Sequence, residues 1–168
     1  MVAMVEDLEL AAAARRDALA EKLFGAVLGV WDIYTVHIGN RLGLYRALAD
    51  VEPATSGELA AALGLSERYV REWLEQQAVS GILEVENPDA EAAERRFAIP
   101  AGHGAVLVDA DDPNYLAPLA QITVGAAHPV EAVIAAFRSG GGVPYEDYGL
   151  DLRAGQGGMN RNLFLQQL

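Results

Sequence analysis

The sequence predicts a mainly α-helical fold carrying one small β-hairpin, on three observations. Apolar residues recur at helical spacing through most of the chain. Helix start and stop residues bracket two short helices, joined by a tight turn, between Thr55 and Gly81. Directly after them, two short apolar runs flank an Asn87-Pro88-Asp89 tip, the pattern of a hairpin. The 168 residues suffice for one domain with its own core, or for a small domain with an appendage. A hydrophobic content of 52% excludes a disordered chain. Twelve basic against 24 acidic residues give a net charge of −12, which phosphate backbones repel. Cysteine is absent, so disulfides, thiol nucleophiles, Fe–S clusters and cysteine-bearing zinc sites are excluded.

Residues 1–20 are alanine-rich, with Leu8, Ala12, Arg15 and Leu19 at helical spacing, and predict a helical arm. The pattern grows heavier from Glu21. Phe24, Leu28, Trp31, Tyr34 and Ile38 form one apolar stripe, and Leu23, Val30 and Ile33 add a second face. A helix apolar on more than one side needs cover on more than one side. The expected cover is a second copy of the chain, which makes those five residues the candidate dimer interface. Packing against later helices of the same chain is the alternative. Gly39 and Gly43 are expected to break the helix, and Leu42, Tyr45 and Leu48 continue the pattern in the next one.

Thr55 and Glu58 stand in capping-box spacing before Leu59 and Leu63, and Gly64 ends that helix. Ser66 is expected to cap the following helix, whose inner stripe is Val70, Trp73, Leu74, Gln77 and Ala78, with Gly81 beyond its end. Two helices joined by so short a turn are a helix-turn-helix unit. Strands are expected at Ile82–Val85 and Phe97–Ile99. Helix, helix, helix, hairpin is the winged-helix order.

Beyond Pro100 the chain turns helical again. Asp112 and Pro113 look like an N-cap and first-turn proline, Pro118 forces a kink or a later start, and Pro129 opens another helix. The segments 139–149 and 155–158 are expected to be glycine-rich loops, and the last ten residues a helix just begun. The division is then a 1–20 arm, a 21–100 winged-helix dimerisation domain, and a 101–168 helical segment. No secretory signal opens the sequence. The most apolar run, Leu23–Ile38, is short for a bilayer span and holds Asp32 and His37, so no membrane and a cytoplasmic location are expected.

Chemistry is sparse. A DNA reader needs free basic residues on its second helix. Here Arg68 and Arg71 each have a carboxylate four residues away, and the wing holds Glu84, Glu86, Asp89, Glu91 and Glu94 against Arg95 and Arg96. Nucleic acid is therefore an unlikely partner. Of the histidines, His37 reads as a hydrogen-bonded core or interface residue, His103 as an exposed loop residue, and His128 as a helix-start residue. None is spaced for a metal. Gly140–Gly142 follows a helix rather than a strand, so it is no phosphate loop. Glu146 and Asp147 read as a solvated turn beside Tyr145 and Tyr148. Neither a catalytic residue nor a cofactor-binding residue is identified.

The stretches "EKLFGAVLGVWDIYTVHIGNRLGLYRAL", "TSGELAAALGLSERYVREWLEQQAVSGILEV" and "YLAPLA…GGGVPYEDYG" resemble the N-terminal region of bacterial class I S-adenosylmethionine-dependent methyltransferases. Some relatives of that group are labelled transcriptional regulators. The resemblance runs from about Glu21 to Leu168 and implies a winged-helix dimerisation domain that closes one side of an acceptor-substrate pocket. The cofactor, S-adenosylmethionine, is implied for the intact parent in a Rossmann-like domain whose strand and glycine-rich loop are missing here. The resemblance thus implies the front part of a methyltransferase, without methyl transfer by itself. A small-molecule methyl acceptor and a homodimer are the partners it implies. Phe137, Tyr145, Tyr148 and Phe164, in the segments leading toward the missing domain, are the candidate wall of the acceptor pocket. A stand-alone winged-helix regulator or a ligand-binding or interaction module is the competing expectation.

Overall fold

The computed structural model describes residues 2–51 and 53–165. The chain divides into two compact units, residues 1–32 and 33–168. The first unit is helix alone. Helix α1 (Val2–Leu42) runs unbroken from it into the second. Alanine, leucine, glutamate and arginine carry the helix on propensity, and Gly25 and Gly29 interrupt nothing. Within that first stretch the large apolar side chains Leu8, Leu19, Leu23, Phe24, Val27, Leu28, Val30 and Trp31 are all exposed.

The second unit builds one core. The chain turns at Gly43, whose φ of +73° suits glycine, and enters α2 (Leu44–Val51). The expected break at Gly39 does not occur; the residue is helical and small for another reason. A Cβ there would lie 2.5 Å from the Trp73 ring and 2.7 Å from that of Tyr45. Those two rings meet edge to face, 5.0 Å apart at 67°. Only glycine lets α1 approach them so closely.

A strand absent from the sequence reading, β1 (Ala54–Thr55), leads into α3 (Ser56–Leu63). The expected capping box is present in full. Glu58 N–H donates to the Thr55 hydroxyl and Thr55 N–H to the Glu58 carboxylate. Gly64 ends α3 in the left-handed region, and α4 (Glu67–Val79) follows. Ser66 sits at the N-cap of α4 but its hydroxyl makes no capping hydrogen bond, contrary to expectation.

The wing comprises β2 (Glu84–Val85) and β3 (Arg96–Ala98), shorter or shifted relative to the strands expected at 82–85 and 97–99. With β1 they form a three-stranded antiparallel sheet in the order β1-β3-β2, Ala54 facing Phe97 and Glu84 facing Ala98. The fold is thus mainly helical with a small sheet. Its core joins Leu44, Tyr45 and Leu48 to Leu59, Val70, Trp73, Leu74, Leu83 and Phe97. One polar pair is built into it: the Tyr45 hydroxyl donates to Gln77 Oε1, and Gln77 Nε2 donates to the Thr35 hydroxyl at 3.0 Å. The two bonds tie α2 and the end of α1 to α4 and leave neither buried group unsatisfied.

After α5 (His103–Leu107) the chain forms α6 (Ala117–Ala127), α7 (Val130–Ser139), a 3-10 turn at Tyr145–Tyr148 and α8 (Gly149–Leu165). Asp112 and Pro113 do not start α6. Asp112 instead accepts from Asn114 N–H at 2.7 Å in a local turn, and α6 starts later with Pro118 in its first turn. The glycines at 155–158 lie inside α8, not in a loop, and the segment from Met159 closes that helix rather than beginning one. Cβ atoms on Gly155 and Gly158 would fall 2.7 Å from Ile122 and 2.8 Å from Pro118 respectively. The glycine cluster is what allows α8 to lie against α6.

Candidate interaction faces and clefts

The helix-turn-helix places α4 where a recognition helix would stand, but of its two arginines Arg71 is engaged, as are both arginines of the wing, while Arg68 is exposed. Arg71 pairs with Glu67 at 3.5 Å, Arg95 with Glu75 at 2.8 Å and Arg96 with Glu58 at 3.3 Å. Arg96 also donates to the Pro53 carbonyl. The Arg95 and Arg96 bonds fasten the wing to α4 and α3, and the three pairs together reduce the basic surface open to phosphates.

Of the five interface candidates, Phe24, Leu28, Trp31 and Tyr34 are exposed, at 67%, 51%, 58% and 48%. Ile38 is half-buried against the core. The four acceptor-wall candidates stand on three elements. Phe137 is 88% exposed on α7 and Phe164 65% exposed on α8. Tyr145 in the 3-10 turn donates its hydroxyl to Gln156. Tyr148 borders a small cleft of about 140 Å³ with Val124, His128 and Leu150.

Two larger clefts flank the end of α1, and sequence reasoning missed both. One, about 490 Å³, lies between Ile38, Leu42, Leu65, Tyr69, Val70 and Trp73. The other, about 340 Å³, is walled by Val36, Ile82, Val106, Leu116, Leu119 and Ala120. Apolar stripes signal burial, not whether a facing element leaves a gap, so nothing in the pattern marks them.

A polar cleft of about 170 Å³ opens where α1, α6 and the turn before α6 converge. His37, Asn40, Arg41, Tyr115 and Gln121 contribute to its walls. Asp151 on α8 accepts from Arg41 at 2.5 Å and from Gln121 at 2.9 Å. The Gln121 hydrogen bond, with the Arg41 and His37 charges, holds the Asp151 carboxyl below the usual aspartate range. His37 departs from its expected role. Its Nδ1 is closed off from solvent with no hydrogen-bond partner among the described residues. Burial pushes the ring's pKa down, Asp151 opposes that, and Arg41 adds to it. His103 departs too, being half-buried at the start of α5, where its Nδ1–H donates to the Ile82 carbonyl at 2.9 Å. His128 is exposed at the end of α6.

Residues 33–109 match the model of the Rv2258c-like winged HTH domain. This is a winged helix-turn-helix domain. No curated protein matches the chain. Among solved structures, the mitomycin 7-O-methyltransferase MmcR superposes with a TM-score of 0.66 over 92% of this chain at 20% identity. At that identity the likeness is one of fold. The chain spans about half of that enzyme, 47% of its length. Beyond residue 109, the winged domain is therefore followed by helices that share a fold with part of a methyltransferase. No single described helix is long and apolar enough to cross a membrane.

Proposed function

We propose that this chain is the dimerisation and acceptor-capping portion of an S-adenosylmethionine-dependent methyltransferase, in a cytoplasmic homodimer. The observation that carries the reading is a winged domain whose Arg71, Arg95 and Arg96 are spent on its own carboxylates, beside a long helix that exposes Phe24, Leu28 and Trp31. The first half of that observation argues against reading DNA. The second describes a face that water alone covers poorly. The fold shared with part of the mitomycin 7-O-methyltransferase MmcR supports a methyltransferase as the parent.

The residues here do not fit the cofactor. Gly140 ends α7 in the left-handed region, and Gly155 and Gly158 are occupied against Ile122 and Pro118. Among the described residues no glycine-rich turn follows a buried strand, and in this reading the cofactor and the methyl transfer are assigned to other parts of the intact enzyme. What this part contributes is apolar wall. Phe137, Tyr145, Tyr148 and Phe164 would face that domain and the small-molecule acceptor.

Light scattering on the purified chain tests the pairing. Wild type is expected at twice the monomer mass, and Trp31→Asp at the monomer mass, its dimer dissociation constant raised roughly 30-fold or more, about 2 kcal/mol. A mass unchanged by Trp31→Asp overturns the assignment of the α1 face. Salt-dependent binding of the wild-type chain to duplex DNA would overturn the reading in favour of a regulator.

A further inference from the structure

We propose that α1 of a second copy lies antiparallel in the apolar cleft between α1 and α4, placing the partner's Phe24, the partner's Leu28 and the partner's Trp31 over Leu42, Ile38 and Thr35. The inference rests on the homodimer proposed above and fixes its register. It starts from spacing. Phe24, Leu28, Trp31, Thr35, Ile38 and Leu42 follow one another along α1 in alternate steps of four and three residues, the repeat of a seam that meets another helix. The first three are exposed. The last three line the cleft of about 490 Å³, where Thr35 and Ile38 are half-buried and α4 supplies the facing wall with Tyr69, Val70 and Trp73.

One chain cannot satisfy both halves of the seam. They lie on the same unbroken helix, and at about 1.5 Å per residue Phe24 stays roughly 27 Å from Leu42. The projecting half therefore cannot reach its own cleft. A second copy can. Turned end for end, it sets the partner's Phe24 against Leu42, the partner's Leu28 against Ile38 and the partner's Trp31 against Thr35, three pairs symmetric about residue 33. One two-fold axis repeats these pairs with the copies exchanged, so both clefts fill at once. A parallel pair fits worse. It sets each projecting residue against its own twin and each half-buried one against its own twin, which leaves both clefts open.

Chemistry and area agree with this seating. Apolar anchors at i, i+4 and i+7 are the pattern by which a helix enters an apolar groove. The one polar residue of the seam is already engaged within the chain: the Thr35 hydroxyl accepts from Gln77 Nε2 at 3.0 Å and its carbonyl from Trp73 Nε1 at 2.9 Å. Phe24, Trp31, Tyr34 and Tyr69 are all exposed. At about 150–250 Å² for a whole aromatic side chain, they supply roughly half of the about 800 Å² per copy that a specific interface buries.

The chain has no cysteine, so single introduced cysteines report the register directly. Leu28→Cys and Ile38→Cys chains are mixed, left to exchange subunits and treated with a short bismaleimide, after light scattering has given the mass. The expected result is a covalent dimer from the mixture at least tenfold above that from either chain alone. Tyr69→Glu, at an exposed cleft position on α4 that a contact between the two α1 helices alone would not sense, is expected to raise the dimer dissociation constant tenfold or more. If Ile38→Cys does not fold, Phe24→Cys with Leu42→Cys tests the same register at positions exposed on the monomer. A dimeric mass with no excess of mixed linkage, or with Tyr69→Glu without effect, overturns the antiparallel seating and leaves the homodimer standing. A monomeric wild type overturns both.

Discussion

Phe24 and Phe97 are the same side chain in two regions with opposite fates. Phe97, on the central strand of the wing, is fully buried among Ala54, Val85 and the helices of the winged domain, whereas Phe24 is 67% exposed on α1. The first region is held by contacts between elements distant in sequence. The other is held by backbone hydrogen bonds and propensity within one helix. Apolar content alone does not distinguish them; what differs is whether the chain supplies a facing surface. The largest effect expected from the comparison follows. Phe97→Ala should cost about 3–5 kcal/mol in urea unfolding. Phe24→Ala, measured dilute enough for monomer, should stay within about 0.5 kcal/mol. Equal losses would break the contrast and place Phe24 in an intrachain core.

Two glycines draw the same contrast within the α6–α8 pair. A Cβ on Gly125 would lie 2.3 Å from the Leu152 backbone nitrogen, whereas one on Gly157 meets nothing within 4 Å. Backbone cannot swing aside as a side chain can, so Gly125→Ala is expected to destabilise by about 1–3 kcal/mol. Gly157→Ala is expected to stabilise by about 0.5–1 kcal/mol, because alanine is the better helix former. Thermal melts of the two variants should move in opposite directions. A shared sign would mean that α8 does not seat on α6 through Gly125.

Those glycines also show where the sequence was legible. Local chemistry read well. Thr55, Glu58, Gly64 and Gly81 carry their own stop and start geometry, and Val70, Trp73, Leu74 and Gln77 face inward as their spacing predicts. The winged-helix order followed from those marks. Two local readings failed, the Ser66 cap and the Asp112 helix start, and so did the glycines whose reason lies on a distant element. Gly39 resembled a breaker because the Trp73 and Tyr45 rings that require it are far away in sequence. The glycines at 155–158 resembled a loop because the sequence does not display Pro118 and Ile122 beside them. The two-residue β1 is too short for any periodicity to reveal. The polar cleft was out of reach for the same reason: His37, Gln121 and Asp151 come from three separate helices, and none is conspicuous alone.

The two N-caps of the helix-turn-helix offer the finest version of the comparison, between a cap that is made and one that is only placed. Thr55 accepts from Glu58 N–H at 3.2 Å, and Ser66 has no capping bond. Thr55→Ala is therefore expected to cost about 1 kcal/mol, and Ser66→Ala no more than a few tenths. Acid should erase part of that difference. The Thr55 backbone N–H and hydroxyl, followed by Arg96, hold the Glu58 carboxyl below its ordinary value. A depressed folded-state pKa gives stability that is present above the ordinary glutamate range and is lost as pH falls through the folded value. In Thr55→Ala the hydroxyl's share of that depression is gone, so the variant has less to lose. Urea midpoints for wild type and Thr55→Ala should converge as pH drops below about 4.3, the ordinary glutamate value. A gap that stays constant into acid would mean that Glu58 does not hold the box, and that the cap rests on the threonine hydroxyl alone.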